Sequence, residues 1–307
     1  MITKDTIKSD LTKLGIIEGD MLFVRISYRA IGKVDGGPKT VIDAILETIG
    51  EQGTLLATAF PPRVRSYSRW LHKDNVYKPG VKPITGVIPV IMCSYPNAHL
   101  SSHPISPYVA IGKDAELLTK SHTPEKDSYD IVRMMIDKFH PKCLRIGGNV
   151  LDGTAHLAFT EGLVYKGAYQ TRLPEGTFYI DNGVRKWKER KVSAFCYTGF
   201  QKFFNDHILN QPDTILSEGN VGNGKAVVTS MKATYDIEKR YIGKAPETLL
   251  CDSPTCLMCR LSYTYSDTSI AKYVLKSIPR LFSTNWKHEL GAYRTILVAK
   301  LFGKKCL

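Results

Sequence analysis

The stretch LTKLGIIEGDMLFVRISYRAIGKVDGGPKTVIDAILETIGEQGTLLATAF, residues 11–60, alternates between two hydrophobic patterns. Residues 20–27 and 53–60 are short apolar runs, which predict buried strands. Residues 33–50 break at Gly36-Gly37 and then continue with helical periodicity. Strands that alternate with helices in this way are typical of an α/β protein.

The rest of the chain extends the same pattern. We predict further helices at residues 3–16 and 86–96, strands at 108–112 and 143–150, and a hairpin at 176–192 with Asn182-Gly183 as its turn. These elements together predict an α/β fold, with layered helices around a mixed, partly antiparallel central sheet. Antiparallel strands are expected at the edges of that sheet.

The composition changes near residue 260, where a basic and amphipathic segment begins. We therefore predict an α/β domain at residues 1–260 and a basic, helical C-terminal extension at residues 261–307. An amphipathic helix of this kind can lie on an acidic membrane, or pack on its own domain or on a second subunit in a homodimer.

The charge balance favours an anionic partner. The 307 residues contain 42 Lys and Arg against 29 Asp and Glu, which leaves a net charge of +13. A phosphate-bearing cofactor, a nucleotide-linked substrate, nucleic acid and an acidic membrane all fit such a surplus, and so does a merely basic surface. Nucleic acid is disfavoured because no aromatic-plus-basic RNA motif is present.

The cysteine content and the hydropathy indicate a cytoplasmic protein. The 7 cysteines are odd in number and mostly scattered, which suits a reducing compartment better than a disulfide framework. The N-terminal residues are polar, without the apolar core of a signal peptide. No window approaches the roughly eighteen apolar residues that a membrane-spanning helix needs.

Two short motifs are candidates for binding or proton transfer. Gly36, Gly37 and Pro38 open a helix, where free backbone N–H groups make a natural anion site, although most such turns are only helix starts. In SSHPISPYVAIG, residues 101–112, His103 is a candidate base and Ser102 supplies a hydroxyl beside it. A His-Pro pair in a loop is most often just a turn.

The stretch GGNVLDGTAHLAFTEG, residues 147–162, places one histidine after a glycine-rich turn. If a helix begins near Thr154, His156 lies in its first turn, where the helix dipole keeps an imidazole neutral and able to accept a proton. Glu161 is a neighbour that can orient the ring. On this motif alone, a histidine satisfied inside the core is the more common case.

Cys251, Cys256 and Cys259 have the spacing C-x4-C-x2-C. They could supply three thiolates to zinc, or the first three ligands of an iron–sulfur cluster. Neither a second CxxC nor a partner histidine lies nearby, so a reduced cluster of cysteines in a loop is the preferred interpretation and no metal is expected.

Five motifs in order resemble the aminoglycoside 3-N-acetyltransferase family. They are residues 11–60; TGVIPVIMCSYPNAHLSSHPISPYVAIG at 85–112; SHTPEKDSYDIV at 121–132; LRIGGNVLDGTAHLA at 144–158; and EGNVGNGKAVVTSM at 218–231. The resemblance spans roughly residues 7–260. It implies the family's α/β fold, acetyl-CoA as co-substrate and transfer of an acetyl group to an amine.

The resemblance also implies roles for individual residues. His156 corresponds to the family's catalytic base, with Glu161 or Glu189 as the carboxylate that orients it. The coenzyme A site corresponds to Ser27, Arg29, Val34, Gly36 and Gly37, and Ser102 and His103 correspond to a motif that lines the same cleft. A neutral imidazole suits this chemistry because it can take the proton of the attacking amine.

Two departures from the family pattern bear on the acceptor. Many members have VHSS where this chain has Val24-Arg25-Ile26-Ser27, and Arg63, Arg65, Lys188 and Arg190 stand where family members place acids. A positive cleft mouth should repel a polycationic antibiotic. We therefore expect the acceptor to be a neutral or anionic non-drug amino sugar, nucleotide- or glycan-linked ones included.

Two alternatives remain at this point. One is a true aminoglycoside 3-N-acetyltransferase that confers antibiotic resistance. The other is a drifted relative that binds coenzyme A or a nucleotide without transferring acetyl groups.

Overall fold

The computed structural model describes residues 1–148, 154–160, 175–190, 197–209, 211–244, 248, 251–252, 278–282, 286 and 290. Within these residues the helices are α1 (Lys4–Lys13), α2 (Tyr28–Ile31), α3 (Pro38–Ile49), α4 (Val87–Cys93), α5 (Ala115–Ser121), α6 (Asp130–Lys138), α7 (Thr154–Thr160), α8 (Tyr197–Phe203) and α9 (Met231–Lys244). Short 3-10 helices occupy Ser66–His72 and Ile278–Phe282, and a π-helical turn at Phe204–Ile208 continues α8.

The strands fall into two sheets. They are β1 (Met21–Ile26), β2 (Thr54–Thr58), β3 (Val64–Arg65), β4 (Val76–Tyr77), β5 (His99–Leu100), β6 (Tyr108–Gly112), β7 (Lys142–Ile146), β8 (Glu175–Asp181), β9 (Val184–Arg190), β10 (Ile215–Val221) and β11 (Gly224–Ser230). In the described part of the chain, the larger sheet has the order β10-β11-β7-β1-β2-β6-β5. The smaller sheet contains β3, β4, β8 and β9.

The larger sheet is parallel at its centre and antiparallel at both edges. β1 pairs in parallel with β2 and with β7. β11 and β10 extend one edge, and β6 and β5 the other, through antiparallel pairs. The predicted fold class, with helices around a mixed and partly antiparallel sheet, is therefore confirmed. The predicted hairpin forms as β8 and β9, but it belongs to the smaller sheet and not to an edge of the central one.

Each face of the central sheet buries its own hydrophobic core. One core joins α1, α3 and α4 to the face that includes Leu22, Leu55 and Leu144. The other joins α5 to α9 to the face that includes Phe23 and Leu56. Since the central strands are buried on both faces, they read as continuous apolar runs, and this explains why their positions could be predicted.

Local signals in the sequence account for several boundaries. The Thr3 hydroxyl accepts a hydrogen bond of 3.2 Å from the Thr6 amide at the start of α1. Pro38 is the first residue of α3. Asn182 and Gly183 have φ angles of +49° and +76°, the left-handed values that a tight two-residue hairpin turn requires. The helix, strand and turn predictions at these sites are confirmed.

Candidate functional site

Four polar side chains lie side by side on one face of the central sheet, where β1, β2 and β7 reach their carboxyl ends. Arg25 is paired with Arg145 on β7, and Thr58 is paired with Tyr108 on β6. The Arg25 guanidinium donates a long hydrogen bond of 3.4 Å to the Thr58 hydroxyl. We call Arg145, Arg25, Thr58 and Tyr108 the polar row. On the core side of the row, the next residue on the same face of each strand is buried in the core, namely Cys143, Phe23, Leu56 and Ala110, so the polar row marks the edge of the core.

A cavity of about 280 Å³ opens beside this edge of the sheet. Ligands of open α/β sheets usually bind outside the carboxyl ends of the strands, so its position suits a substrate site. Arg25 is the only charged side chain among the described residues that line it. The described lining consists of Val24, Arg25, Ile26, Ser27, Ala57, Thr58, Thr85, Ile88, Pro89, Gly147 and Gly148.

The residues predicted to bind coenzyme A are only partly brought together. Ser27 lines the cavity and immediately precedes α2. Arg29 is exposed on α2, and Gly36 and Gly37 form the turn that opens α3. Val34 is buried, with 6% of the residue exposed, and its backbone forms a bridge to Ile2; its contact with coenzyme A remains a prediction.

Ser102 and His103 do not share one environment. Ser102 is exposed, whereas His103 is fully buried and is not part of the cavity lining. Nδ1 of His103 accepts a hydrogen bond of 3.0 Å from the Ser106 amide. Burial is the main cause that lowers the pKa of His103 to about 2, and the positive charges of His122 and Lys188 add to it. His103 is therefore neutral at physiological pH.

His122 is a buried neighbour for which the sequence motifs predict no role. Its Nδ1 is 3.2 Å from the Ser101 hydroxyl, and its Nε2 is 3.2 Å from the Asp127 carbonyl oxygen. Burial lowers the pKa of His122 to about 4. The Ser101 hydroxyl also accepts a hydrogen bond of 2.9 Å from the Tyr108 amide, so this buried network supports one end of the polar row.

A second group of side chains, which we call the arginine cluster, consists of Phe60, Arg63, Tyr129 and Arg190. The guanidinium carbons of Arg63 and Arg190 each lie 5.6 Å from the centroid of the Phe60 ring. Arg190 also donates a hydrogen bond to the Tyr129 hydroxyl and lies 5.4 Å from that ring centroid. Burial, with the charge of Arg63 as a second cause, lowers the pKa of Arg190 to about 9.

The arginine cluster adjoins the polar row through aromatic rings. Phe60 meets Tyr108 edge to face, with their ring centroids 5.6 Å apart. The Tyr108 hydroxyl is buried and has no hydrogen-bond partner among the described residues. Burial raises the pKa of Tyr108, while the charges of Arg190 and Arg25 act in the opposite direction. Both arginines therefore lie within electrostatic range of this hydroxyl.

Among the residues that the structure describes, few carboxylates lie near the arginine cluster. Glu175 lies 3.6 Å from the Arg63 guanidinium and faces Arg190 across the β8–β9 pair. Glu189, predicted to be a catalytic carboxylate, is exposed on β9, whereas the adjacent Arg190 is buried. Arg65 pairs with Glu175 in the backbone register, but its side chain lies outside the described atoms.

His156 is the third residue of α7, so the prediction that it lies in the first turn of a helix is confirmed. Its neighbours Ala155, Leu157 and Ala158 are buried in the core that covers the sheet face carrying the polar row. The helix α7 packs against α9. The His156 side chain and all of Glu161 lie outside the described residues. Their catalytic roles remain predictions.

The structure describes only one of the three cysteines of the C-x4-C-x2-C motif. Cys251 is described and partly buried, whereas Cys256 and Cys259 lie outside the described residues. Among the residues that the structure describes, no group of three His, Cys, Asp or Glu side chains is arranged to hold a metal ion.

In the described part of the chain, no helix is both long enough and apolar enough to cross a membrane. In the predicted extension at 261–307, the short helix Ile278–Phe282 exposes Ile278 and Phe282. Contact with a membrane surface, a homodimer and the boundary near residue 260 remain predictions.

Comparison with known proteins agrees with this architecture. A family model described as aminoglycoside 3-N-acetyltransferase matches residues 23–242. The chain is 25% identical over 259 residues to the aminoglycoside N(3′)-acetyltransferase-like protein YokD of Bacillus subtilis strain 168, which covers 78% of this chain and 92% of that protein. It is 34% identical over 135 residues to aminoglycoside N(3)-acetyltransferase III of a Salmonella species, covering 40% of this chain and 47% of that protein.

Solved structures show the same fold. The aminoglycoside acetyltransferase AAC(3)-Xa superposes with a TM-score of 0.68 at 23% identity, covering 79% of this chain and 93% of that one. AAC-IIIb, solved with coenzyme A, superposes with a TM-score of 0.69 at 20% identity, covering 79% and 96%.

The match to the family model supports N-acetyltransferase activity, and the predicted enzyme class is confirmed. The chain belongs to the aminoglycoside 3-N-acetyltransferase family.

Proposed function

We propose that the protein transfers the acetyl group of acetyl-CoA to the primary amine of an amino sugar, with His156 as the general base. The observation that carries this proposal is the position of the cavity. It is lined by Ser27, from the predicted coenzyme A motif, and by Gly147 and Gly148, which follow β7 and precede α7 in the chain. A structural relative, AAC-IIIb, was solved with coenzyme A bound, which supports the choice of donor.

The chemistry needs a base and a donor to the oxyanion. As the neutral amine nitrogen attacks the thioester carbonyl and forms a C–N bond, His156 takes a proton from that nitrogen. The tetrahedral intermediate collapses with loss of the C–S bond, and the thiolate leaves as coenzyme A with the proton that the imidazolium returns. The Ser27 amide already donates to the Ile146 carbonyl at 2.8 Å, so the Ser27 hydroxyl is the better donor to the oxyanion.

Two acceptor classes follow from different observations. The names of the family and of its matched relatives favour the 3-amine of an aminoglycoside, and AAC-VIa was solved with sisomicin. Arg63 and Arg190, which converge on Phe60, favour a neutral or anionic amino sugar, including nucleotide- or glycan-linked ones, because positive charges repel a polycation.

Thiol release from acetyl-CoA tests the proposal directly. The acceptor panel contains kanamycin, glucosamine and a nucleotide-linked amino sugar, and each product is identified by its mass. We expect at least one acceptor to be acetylated by the wild type. Coenzyme A binding without turnover on any acceptor would instead identify a drifted binding protein.

A further inference from the structure

We propose that Arg190 and the Tyr108 hydroxyl, flanked by Arg63, bind an anionic group of the acceptor, either a carboxylate or a phosphate. This inference rests on the proposed acetyl transfer and specifies its substrate class: an amino sugar that carries a negative charge. Arg190 and Tyr108 are buried donors, Arg63 is partly buried, and all three lie around the Phe60 ring.

Arg190 is the central element because it is a buried charge that forms no ion pair among the described residues, although Glu175 is its neighbour across the β8–β9 pair. Only 6% of its side chain is exposed. Its contacts are the Tyr129 hydroxyl and the rings of Tyr129 and Phe60, and its Nε has no partner among the described residues. Burying a guanidinium without a counterion is unfavourable, and a bound carboxylate or phosphate removes that penalty.

Tyr108 supplies a second donor. Its side chain is fully buried, and its hydroxyl also has no partner within the described residues. Buried polar groups are nearly always hydrogen-bonded, so two such groups in contact with the same Phe60 ring indicate a missing partner. An anionic oxygen can accept from both a guanidinium and a phenol, and the positive charge of Arg190 favours it over a neutral acceptor.

The surrounding charges favour an anion. The Arg63 guanidinium also lies against the Phe60 ring. Arg63 in addition lines a second cavity of about 280 Å³ between β3, β4 and β8. Glu175 is the described carboxylate in this group, and it is already 3.6 Å from Arg63. Glu189 is exposed on β9, and Lys188 on the same strand adds a positive charge.

An anionic oxygen could also come from a phosphate of acetyl-CoA. The predicted coenzyme A residues Ser27, Gly36 and Gly37 flank α2, whereas Arg190 belongs to the smaller sheet. Arg190 is also not among the described residues that line the cavity with Ser27. We therefore assign the anion to the acceptor, and the experiment includes an arm that tests the donor.

The test measures binding by calorimetry, so that its result does not depend on turnover. The probes are glucosamine 6-phosphate and glucosamine, which differ in charge, and coenzyme A and its 3′-dephospho form. The proteins are the wild type, Arg190→Gln, Arg190→Lys and Tyr108→Phe. Arg185→Gln is the matched control, because it removes one charge from an exposed position of the same strand.

We expect the wild type to bind glucosamine 6-phosphate at least about tenfold more tightly than glucosamine. This preference for glucosamine 6-phosphate should disappear in Arg190→Gln and become smaller in Tyr108→Phe. It should persist in part in Arg190→Lys, which keeps a positive charge, and remain unchanged in the control Arg185→Gln. Equal affinity of the wild type for the two sugars would overturn the inference, even if acetyl transfer is observed. An Arg190→Gln variant that loses affinity for coenzyme A but keeps the sugar preference would overturn it as well. Absence of acetyl transfer with a retained phosphate preference would reject only the proposed function.

Discussion

The rings of His103 and His122 are stacked, with their centroids 4.6 Å apart and their planes 7° from parallel. Two imidazoles in such contact cannot both be protonated without strong repulsion. Burial is the main cause that lowers the pKa of His103 to about 2 and that of His122 to about 4, below the ordinary value of 6.5, and the charge of His122 further lowers the pKa of His103.

The first prediction is a loss of stability in acid. As the pH falls below 6.5, these histidines take up protons in the unfolded chain before they do so in the folded protein. The free energy of unfolding should therefore fall by roughly 1.4 kcal/mol per histidine for each pH unit. The contribution of His122 should end near pH 4, where the folded protein also becomes protonated, and that of His103 should continue to lower pH. Urea unfolding at a series of pH values measures this slope.

A His122→Asn variant should have a shallower slope between pH 6.5 and 4 than the wild type. His140→Asn, which changes an exposed histidine, should leave the slope unchanged. Identical slopes in wild type and His122→Asn would contradict the prediction.

The second prediction concerns the stability of the arginine cluster. Arg190→Met removes a buried charge that has uncharged contacts among the described residues, so the free energy of unfolding should rise by about 1–4 kcal/mol in the absence of ligand. Thermal unfolding measures the change, and Arg185→Met on the exposed part of β9 is the control. A lower melting temperature for Arg190→Met would show that its contacts with Phe60 and Tyr129 outweigh the cost of desolvation.

The third prediction is catalytic. His156→Ala should reduce the rate of acetyl transfer by about 100- to 10,000-fold, because the amine then lacks a general base. The measurement is thiol release under saturating acetyl-CoA, with His140→Ala as a control at an exposed position. Activity close to that of the wild type would rule out His156 as the base.

The fourth prediction concerns the wall of the cavity. Gly147 has φ +54°, and a Cβ at this position would lie 2.3 Å from the Ala30 Cβ. Gly147→Ala should therefore displace α2 with the adjacent Ser27, cost about 1–3 kcal/mol of stability and weaken the binding of coenzyme A. Gly183→Ala is a matched control, since Gly183 also has a positive φ but faces open space. Equal losses in both variants would mean that backbone strain alone explains the effect.

Much of the fold follows from local sequence patterns. The strands 20–27 and 53–60 could be predicted because both of their faces are buried. The turn at Asn182-Gly183 could be predicted because a tight hairpin turn requires positive φ angles. The separate small sheet could not be predicted, because its pairs join residues that are distant in the sequence, such as Val64 and Gly176.

The site was harder to predict than the fold. Ser27 was assigned to the cleft from its motif, and the structure places it in the cavity wall. The polar row could not be predicted because it depends on how β7, β1, β2 and β6 pair in the sheet. In the sequence alone, Tyr108 cannot be distinguished from any other aromatic residue of the core. His122 lay within a recognised motif, but nothing in the sequence places it against His103.

The alternation of β9 has a further consequence for how such enzymes diverge. Glu189 and Arg190 are adjacent, so the strand's two-residue period turns one outward and the other inward. Exchanging just these two residues would place a carboxylate beside Phe60 while leaving the net charge and composition of the protein unchanged. Related enzymes could thus differ in their preference for anionic or cationic acceptors without any difference in overall charge.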